Sequence, residues 1–319
     1  MFFGPDYPRG RVESFAEGAA MLSRREILLA PVALAALRTV EAANGKMSLA
    51  MHQNTSSRAG FRGSLEGWSK AGIKEVEITN NLLDAFLKTD SLPAAKRLLS
   101  DLGLTPVSGA CGVGGLIEPN PNRAASLDNL KKRCEMFGAL GLTKIYSTTG
   151  TMIKPSPDDY KAAADNLREA GDVAKQFQMT LNFEFIRTST FASTLPTLLS
   201  ITRAAAHPNI GILFDCYHFW SGLNKLEDID ALRPGDIKHA HFQDVPDMPR
   251  ELLDTTTRVI PGDGVSPLTS ILQKLASKGY DGPLSVELFL PKFQEGDPYE
   301  VAREIKTKAE GVMRKAGVL

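Results

Sequence analysis

The sequence has 319 residues, of which 43% are hydrophobic and 23% are charged, which is typical of a globular chain long enough for one α/β barrel. The 37 basic residues balance the 37 acidic ones, so the formal net charge is zero, and no basic field favours nucleic acid or an anionic membrane as a partner. Cys111, Cys134 and Cys216 lie too far apart for a CxxC zinc motif or a disulfide framework, and we expect buried, reduced thiols.

The N-terminal region has the order of an export signal. Residues 23–25 (Ser-Arg-Arg) precede an apolar run over 27–37, and residues 40–42 (Val-Glu-Ala) resemble a small-residue cleavage site. Adjacent arginines are typical of a twin-arginine signal. We therefore expect residues 1–46 to be an extension with a signal peptide, Met21 to be a candidate start, and the protein to be periplasmic. An ordinary amphipathic helix and a cytoplasmic location are the alternatives.

From residue 47 onward, short apolar runs alternate with longer amphipathic segments. The apolar runs predict eight strands, over 47–51, 74–78, 105–108, 144–147, 180–185, 210–214, 237–242 and 284–288. The segments that follow them have helical spacing, and several end at a glycine: 65–71, 92–102, 125–140, 157–177, 195–206, 226–232, 267–278 and 299–315. No further apolar run is long enough to cross a bilayer, so stable membrane insertion is not expected.

Eight strand–helix units predict a single-domain (β/α)8 TIM barrel over residues 47–319. An open doubly wound sheet is the alternative. Residues 51–60 (MHQNTSSRAG), which follow the first strand, lack the glycine-rich phosphate fingerprint of a dinucleotide fold, and this favours the barrel. Residues 112–115 (Gly-Val-Gly-Gly) follow the third strand, but a lone glycine-rich loop is more often a turn.

Metal-binding residue types end four consecutive predicted strands, the fifth to the eighth. These residues are Glu184, Asp215, His241 and Glu287. The carboxyl ends of barrel strands meet at one rim, where TIM-barrel active sites lie. Each residue alone would more often cap a helix, form an ion pair or make a structural hydrogen bond. Their coincidence predicts a site for one divalent ion, with Mn²⁺, Mg²⁺ and Co²⁺ suited to three carboxylates and an imidazole, and Zn²⁺ also compatible.

Four more residues have a functional and a structural interpretation. His218 follows the sixth strand in a predicted loop and would contact substrate or cap the next helix. Arg258 opens a tight turn and would fix a substrate oxygen or form a surface salt bridge. His239 would support the metal site from below or fill a layer of the barrel, and Glu77 would reach the pocket or form a structural ion pair.

The second half of the chain resembles the xylose-isomerase-like TIM-barrel superfamily of sugar isomerases and epimerases. Within that superfamily it is most similar to the inosose (2-keto-myo-inositol) isomerases. The resemblance covers residues 180–291. It rests on FEF at 183–185, FDCYHF at 214–219, HFQD at 241–244, RVIPGDG at 258–264 and SVELF at 285–289.

The resemblance implies a metal-dependent isomerase or epimerase of a small keto-sugar or cyclitol, with a homo-oligomer as one arrangement. It implies four metal ligands, Glu184, Asp215, His241 and Glu287, and two substrate contacts, His218 and Arg258. Our mechanistic hypothesis is proton transfer next to the substrate carbonyl through a metal-stabilised enediolate, with Glu184 and Glu287 as base and acid.

Three other functions remain open at this stage. A metal-dependent dehydratase or lyase on a keto-sugar would use the same ion, and a non-catalytic exported sugar-binding protein would use the same barrel. A phosphodiester-cleaving enzyme like endonuclease IV would need more histidine ligands and a basic surface. Five histidines and a net charge of zero argue against that last class.

Overall fold

The computed structural model describes residues 46–319, so the expected export signal and the candidate start at Met21 lie outside the described residues. Eight parallel strands form a closed barrel in which each strand pairs with the next and the eighth with the first. The strands are β1 Ser48–His52, β2 Glu75–Thr79, β3 Thr105–Ala110, β4 Lys144–Thr148, β5 Thr180–Glu184, β6 Ile210–Asp215, β7 Ile237–His241 and β8 Pro283–Val286. The predicted TIM barrel is therefore confirmed.

Helices connect the strands on the outside of the barrel. They are α1 Gly60–Lys70, α2 Asn80–Phe86, α3 Leu92–Asp101, α4 Arg123–Ala139, α5 Pro157–Gln176, α6 Leu195–Ala205, α7 Cys216–Ser221, α8 Leu268–Ser277, α9 Pro291–Gln294 and α10 Pro298–Ala316. Short 3₁₀ segments lie at Gln53–Ala59, Leu226–Ala231, Arg250–Leu252 and Thr255–Thr257. None of the described helices is both long and apolar enough to cross a membrane.

Most of the departures from the predicted elements lie close to the strand ends. The segment predicted as a helix over 226–232 is a 3₁₀ turn, and α2, α7 and α9 were not predicted. His218 therefore lies on a short helix and not in a loop. Helix α7 follows β6 directly because the carboxylate of Asp215 accepts the backbone N–H of His218 at 2.6 Å and caps the helix at once.

The layer between the barrel and the helices is apolar. Trp68 on α1 is fully buried, and its indole N–H donates to Ser56 Oγ at 3.2 Å, as befits a packing residue. The three cysteines are buried and unpaired, in agreement with the expected reduced thiols. The rigid barrel fixes the strand ends at which polar side chains collect.

Candidate active site

Four side chains from the ends of β5 to β8 converge on one point. One ligand atom from each of Glu184, Asp215, His241 and Glu287 lies within 4.8 Å of the others. Nδ1 of His241 is 3.1 Å from Glu184 Oε1, and it is 3.5 Å from both Asp215 Oδ2 and Glu287 Oε2. All four residues are buried, with Glu287 the most exposed at 4%. The barrel thus brings together the four residues that the sequence predicted as metal ligands.

The electrostatics of this cluster fit a divalent cation. Burial raises the pKa of Glu184 to about 8, against the opposing effect of His241 and with the help of the neighbouring carboxylates. Burial alone would lower the pKa of His241, but Glu77, Glu184 and Glu287 raise it well above its ordinary value. Three converging carboxylates therefore draw positive charge into the cluster, and three oxygens with one imidazole nitrogen form a donor set suited to a divalent metal.

Asp215 has a dense set of partners. Its Oδ2 accepts a hydrogen bond from Gln243 Nε2 at 2.5 Å and lies 3.2 Å from Arg258 Nη1. Burial alone would raise the pKa of Asp215, but the charge of Arg258 helps to hold it well below its usual value. Asp215 is thereby kept ionised and fixed in orientation, as a metal ligand requires.

Arg258 is buried in the site, so the alternative of a surface salt bridge is wrong. Its side chain is 2% exposed, Nη1 donates to Glu287 Oε2, and Nη2 donates to His218 Nε2 at 2.9 Å. The guanidinium also lies over the rings of Tyr217 and Phe289, 5.3 and 5.1 Å from their centroids. The predicted substrate contacts Arg258 and His218 therefore touch each other beside the predicted metal ligands.

The loop that carries Arg258 is held by Asp244. Asp244 Oδ1 accepts the backbone N–H groups of Val245 and Ser266, and Oδ2 accepts those of Gly262 and Gly264. A side chain at Gly264 would collide with this arrangement, since its Cβ would lie 2.6 Å from Asp244 Oδ1. Asp244 thus shapes the loop around Arg258, while the four predicted ligands line the centre of the site.

Glu77 and His239 lie below the cluster, inside the barrel. Glu77 Oε2 is 3.0 Å from His239 Nε2 and 3.1 Å from His241 Nε2. The structural ion pair is therefore the interpretation of Glu77 that the geometry supports, and this pair contacts a predicted ligand, His241. His239 likewise supports the site from below through Glu77 and does not reach the cluster of four.

Four polar residues at the site, Asn54, Gln243, Tyr146 and His52, were not singled out from the sequence. Asn54 Nδ2 donates to Glu287 Oε1 at 2.9 Å, Gln243 binds Asp215, and the hydroxyl of Tyr146 is 3.0 Å from His52 Nε2. Gln243 lies within the HFQD segment, and its place two residues after His241 was a usable signal. Asn54 and Tyr146 have no local signal, because their partners are distant in sequence.

A cavity of about 310 Å³ opens beside Tyr146 at the ends of β3 and β4. Gly112 and Gly114 line it together with Asn80 and Thr148. Gly112 has a φ of +64°, and a Cβ there would lie 2.6 Å from the amide of Asn80. The glycine-rich segment therefore forms one wall of this cavity.

Comparison with known proteins agrees with this geometry. The sequence pattern of the xylose isomerase-like TIM barrel family matches residues 66–310. An inosose isomerase from Halalkalibacterium halodurans is 27% identical over 259 residues, which span 79% of this chain and 90% of that protein. A 3-dehydroshikimate dehydratase from Pseudomonas putida is 25% identical over 72% of this chain, but the match spans only 36% of that longer protein.

Solved structures of other proteins have the same fold. The IolI protein, crystallised with a zinc atom, superposes with a TM-score of 0.79 at 23% identity, over 85% of this chain and 99% of that one. The relatives support the expectation of an enzyme of the sugar isomerase and epimerase class. The family match spans most of the chain, and the closed barrel carries its polar cluster at the strand ends. The chain therefore belongs to the xylose isomerase-like TIM barrel family.

Proposed function

We propose that the protein is a divalent-metal-dependent isomerase or epimerase of a small keto-sugar or cyclitol, with an inosose as the leading substrate. The observation that carries the proposal is the convergence of Glu184, Asp215, His241 and Glu287 within 4.8 Å. The inosose isomerase relative, which this chain matches over 90% of its length, supports the choice of substrate class.

The chemistry begins with removal of a proton from the carbon next to the substrate carbonyl. A divalent ion held by the four side chains would supply positive charge to the two oxygens that become electron-rich. Glu184 ends β5, and Glu287 directly follows β8. The two carboxylates therefore flank Asp215 and His241 along the rim. We assign one of them as the base that takes the proton and the other as the acid that returns it.

Arg258 and His218 would orient the substrate at this site. Arg258 presents N–H groups only, and burial lowers the pKa of His218 to about 4, so the imidazole is neutral at pH 7. A cation and a neutral imidazole are suited to hydroxyl and carbonyl oxygens. The cavity beside Tyr146, of about 310 Å³, would accept the part of a small polyol that lies away from the reacting carbons.

The acid–base assignment is tested by following exchange of the α-proton of 2-keto-myo-inositol with deuterated solvent. Glu184→Gln and Glu287→Gln keep the shape of the side chain and remove its basicity, so each should slow exchange by at least about 100-fold. Glu295→Gln, an exposed residue 3.8 Å from Arg58, is the matched control and should exchange at the wild-type rate. Wild-type exchange in both site variants would refute the assignment.

The metal requirement is tested separately by elemental analysis of protein purified without added metal. We expect about one divalent ion per chain in the wild type and its loss in Asp215→Ala, because Asp215 belongs to the converging cluster. Asp158→Ala on the exposed face of α5 is the control and should retain the ion. A wild type that neither contains nor takes up Mn²⁺, Co²⁺ or Zn²⁺ would remove the central support for the proposal.

A dehydratase acting on a keto-sugar or a related cyclic ketone is the second candidate. The match to a 3-dehydroshikimate dehydratase over 72% of this chain favours it, and the first step, proton removal next to a carbonyl, would be the same. The two reactions differ in whether water leaves the substrate. Mass analysis of the product separates them, since isomerisation conserves the mass and dehydration removes one water.

A further inference from the structure

We infer that Glu77 is a positioning residue for the metal site, which fixes the tautomer of His241 from inside the barrel. This inference rests on the metal site of the proposed function but not on its substrate. Glu77 lies on β2, and His241 lies on β7, so the contact between them crosses the barrel interior. Both side chains are fully buried.

The hydrogen bonds define which imidazole nitrogen is available to a metal. An ionised carboxylate only accepts, so the Nε2 atom of His241, 3.1 Å from Glu77 Oε2, must carry a proton. The other nitrogen, Nδ1, is the one that faces Glu184, Asp215 and Glu287. Holding the proton on Nε2 leaves the lone pair of Nδ1 for the ion, and such partners are known to orient metal-binding histidines.

His239 holds Glu77 in place. The same oxygen of Glu77 accepts from His239 Nε2 at 3.0 Å, so one carboxylate oxygen joins two imidazoles two residues apart on β7. The second oxygen, Oε1, has no partner within residues 46–319. Burying a carboxylate with one unpaired oxygen lowers the stability of the folded protein, and apolar residues would pack at this position at a lower cost in free energy. The contact of Glu77 with His241 is the functional explanation for a carboxylate at this position.

The test is zinc affinity, measured by competition with a chelator of known affinity. Glu77→Gln preserves shape but removes the negative charge behind His241, and we expect the Kd for Zn²⁺ to rise by about 10- to 100-fold. Glu75→Gln is the matched control on the same strand. Glu75 is the first residue of β2, where its Oε2 accepts from Ser48 Oγ at 2.6 Å, and its loss should leave the Kd within about twofold of wild type.

A double-mutant cycle tests the role of His239. We expect His239→Gln to raise the Kd by a smaller factor than Glu77→Gln, and we expect no further rise when it is added to Glu77→Gln. A purely structural contribution would instead add independently in the double variant. If Glu77→Gln does not fold, His239→Gln alone must still weaken zinc binding relative to Glu75→Gln.

A spectroscopic measurement reads the tautomer directly. In the zinc-loaded wild type with ¹⁵N-labelled histidine, long-range proton–nitrogen spectra should show His241 bound through Nδ1 with a proton on Nε2. The opposite tautomer, or a Glu77→Gln protein with wild-type zinc affinity, would overturn the inference. A wild type that binds no zinc would overturn it together with the metal site. Tight zinc binding without isomerase activity would refute only the proposed function.

Discussion

The guanidinium of Arg258 donates through Nη2 to Nε2 of His218 at 2.9 Å, so Nε2 of this neutral imidazole is the acceptor of the contact. The contact joins a loop after β7 to the short helix α7 after β6, and it places both polar groups beside the carboxylates. It depends on the shape of arginine, because Nη1 reaches Glu287 while Nη2 reaches His218.

Arg258→Lys should therefore impair substrate binding although it conserves charge. A lysine has one nitrogen and cannot contact Glu287 and His218 in the same way, so a charge-assisted hydrogen bond is lost. We expect kcat/KM to fall by roughly 10- to 100-fold, mostly through a higher KM. The control is Arg303→Lys on the exposed face of α10. An unchanged KM in Arg258→Lys would show that Arg258 does not contact substrate.

Asp244→Asn should loosen the loop that carries Arg258. Each carboxylate oxygen of Asp244 accepts two backbone N–H groups, so either orientation of an asparagine amide would turn its NH₂ group towards two donors. We expect a loss of about 1–3 kcal/mol in the free energy of unfolding, measured with urea, and a raised KM.

Asp263→Asn is the matched control for this loop. Asp263 lies in the same segment, but it points outward and pairs with Lys308 at 2.7 Å. Exposed pairs contribute little, so its unfolding free energy should change by less than about 1 kcal/mol. Equal losses in the two variants would mean that Asp244 has no special role in holding the loop.

The repeating parts of this molecule could be predicted from sequence, because each depends on neighbouring residues. The apolar runs and the glycines at helix ends were sufficient to predict the barrel. The candidate ligands that end β5, β6 and β7 are local features of their strands. Glu287 was identifiable by its equivalent place after the apolar run of β8. Helix α7 was missed because it has six residues and begins directly after Asp215, which leaves no helical periodicity to detect.

The contacts across the barrel could not be predicted, because they depend on how the sheet closes. Asn54 and Glu287 are 233 positions apart, yet a 2.9 Å hydrogen bond joins them. Glu77 was identified from the sequence as a residue of the pocket or of a structural ion pair, but its contact with His241 requires β2 and β7 to face each other across the interior. The burial of Arg258 likewise follows from the loop geometry around Asp244, and an arginine next to a tight turn is more often exposed.

The N-terminal arginine pair predicts export, and we propose a twin-arginine route to the periplasm. A reporter fused to residues 1–46 should reach the periplasm of a bacterium that has this pathway, and Arg24→Lys/Arg25→Lys should abolish that transport. Arg9→Lys/Arg11→Lys makes the same chemical change before Met21 and should have no effect. A reporter that stays in the cytoplasm in all three forms would refute the proposal.

The metal-free protein should become less stable as the pH rises from 6.5 to 8. The folded pKa of Glu184 is raised to about 8, so the stability linked to its proton is present at low pH and is lost as the pH rises through that value. His241 has the same sign, because its folded pKa is raised well above 6.5. His52 and His218 have lowered pKa values and act below this window.

Urea unfolding in the presence of a chelator measures this effect. Glu184 should lower the free energy of unfolding by about 1 kcal/mol per pH unit over this range. Glu184→Gln should remove that contribution to the pH dependence of the unfolding free energy. Glu66→Gln on the exposed face of α1 should leave the slope unchanged. With saturating Zn²⁺ the trend should reverse, because the metal competes with protons for the same atoms and binds more tightly at higher pH. A metal-free wild type with constant stability from pH 6.5 to 8 would contradict the prediction that the folded protein holds a proton on Glu184 in this range.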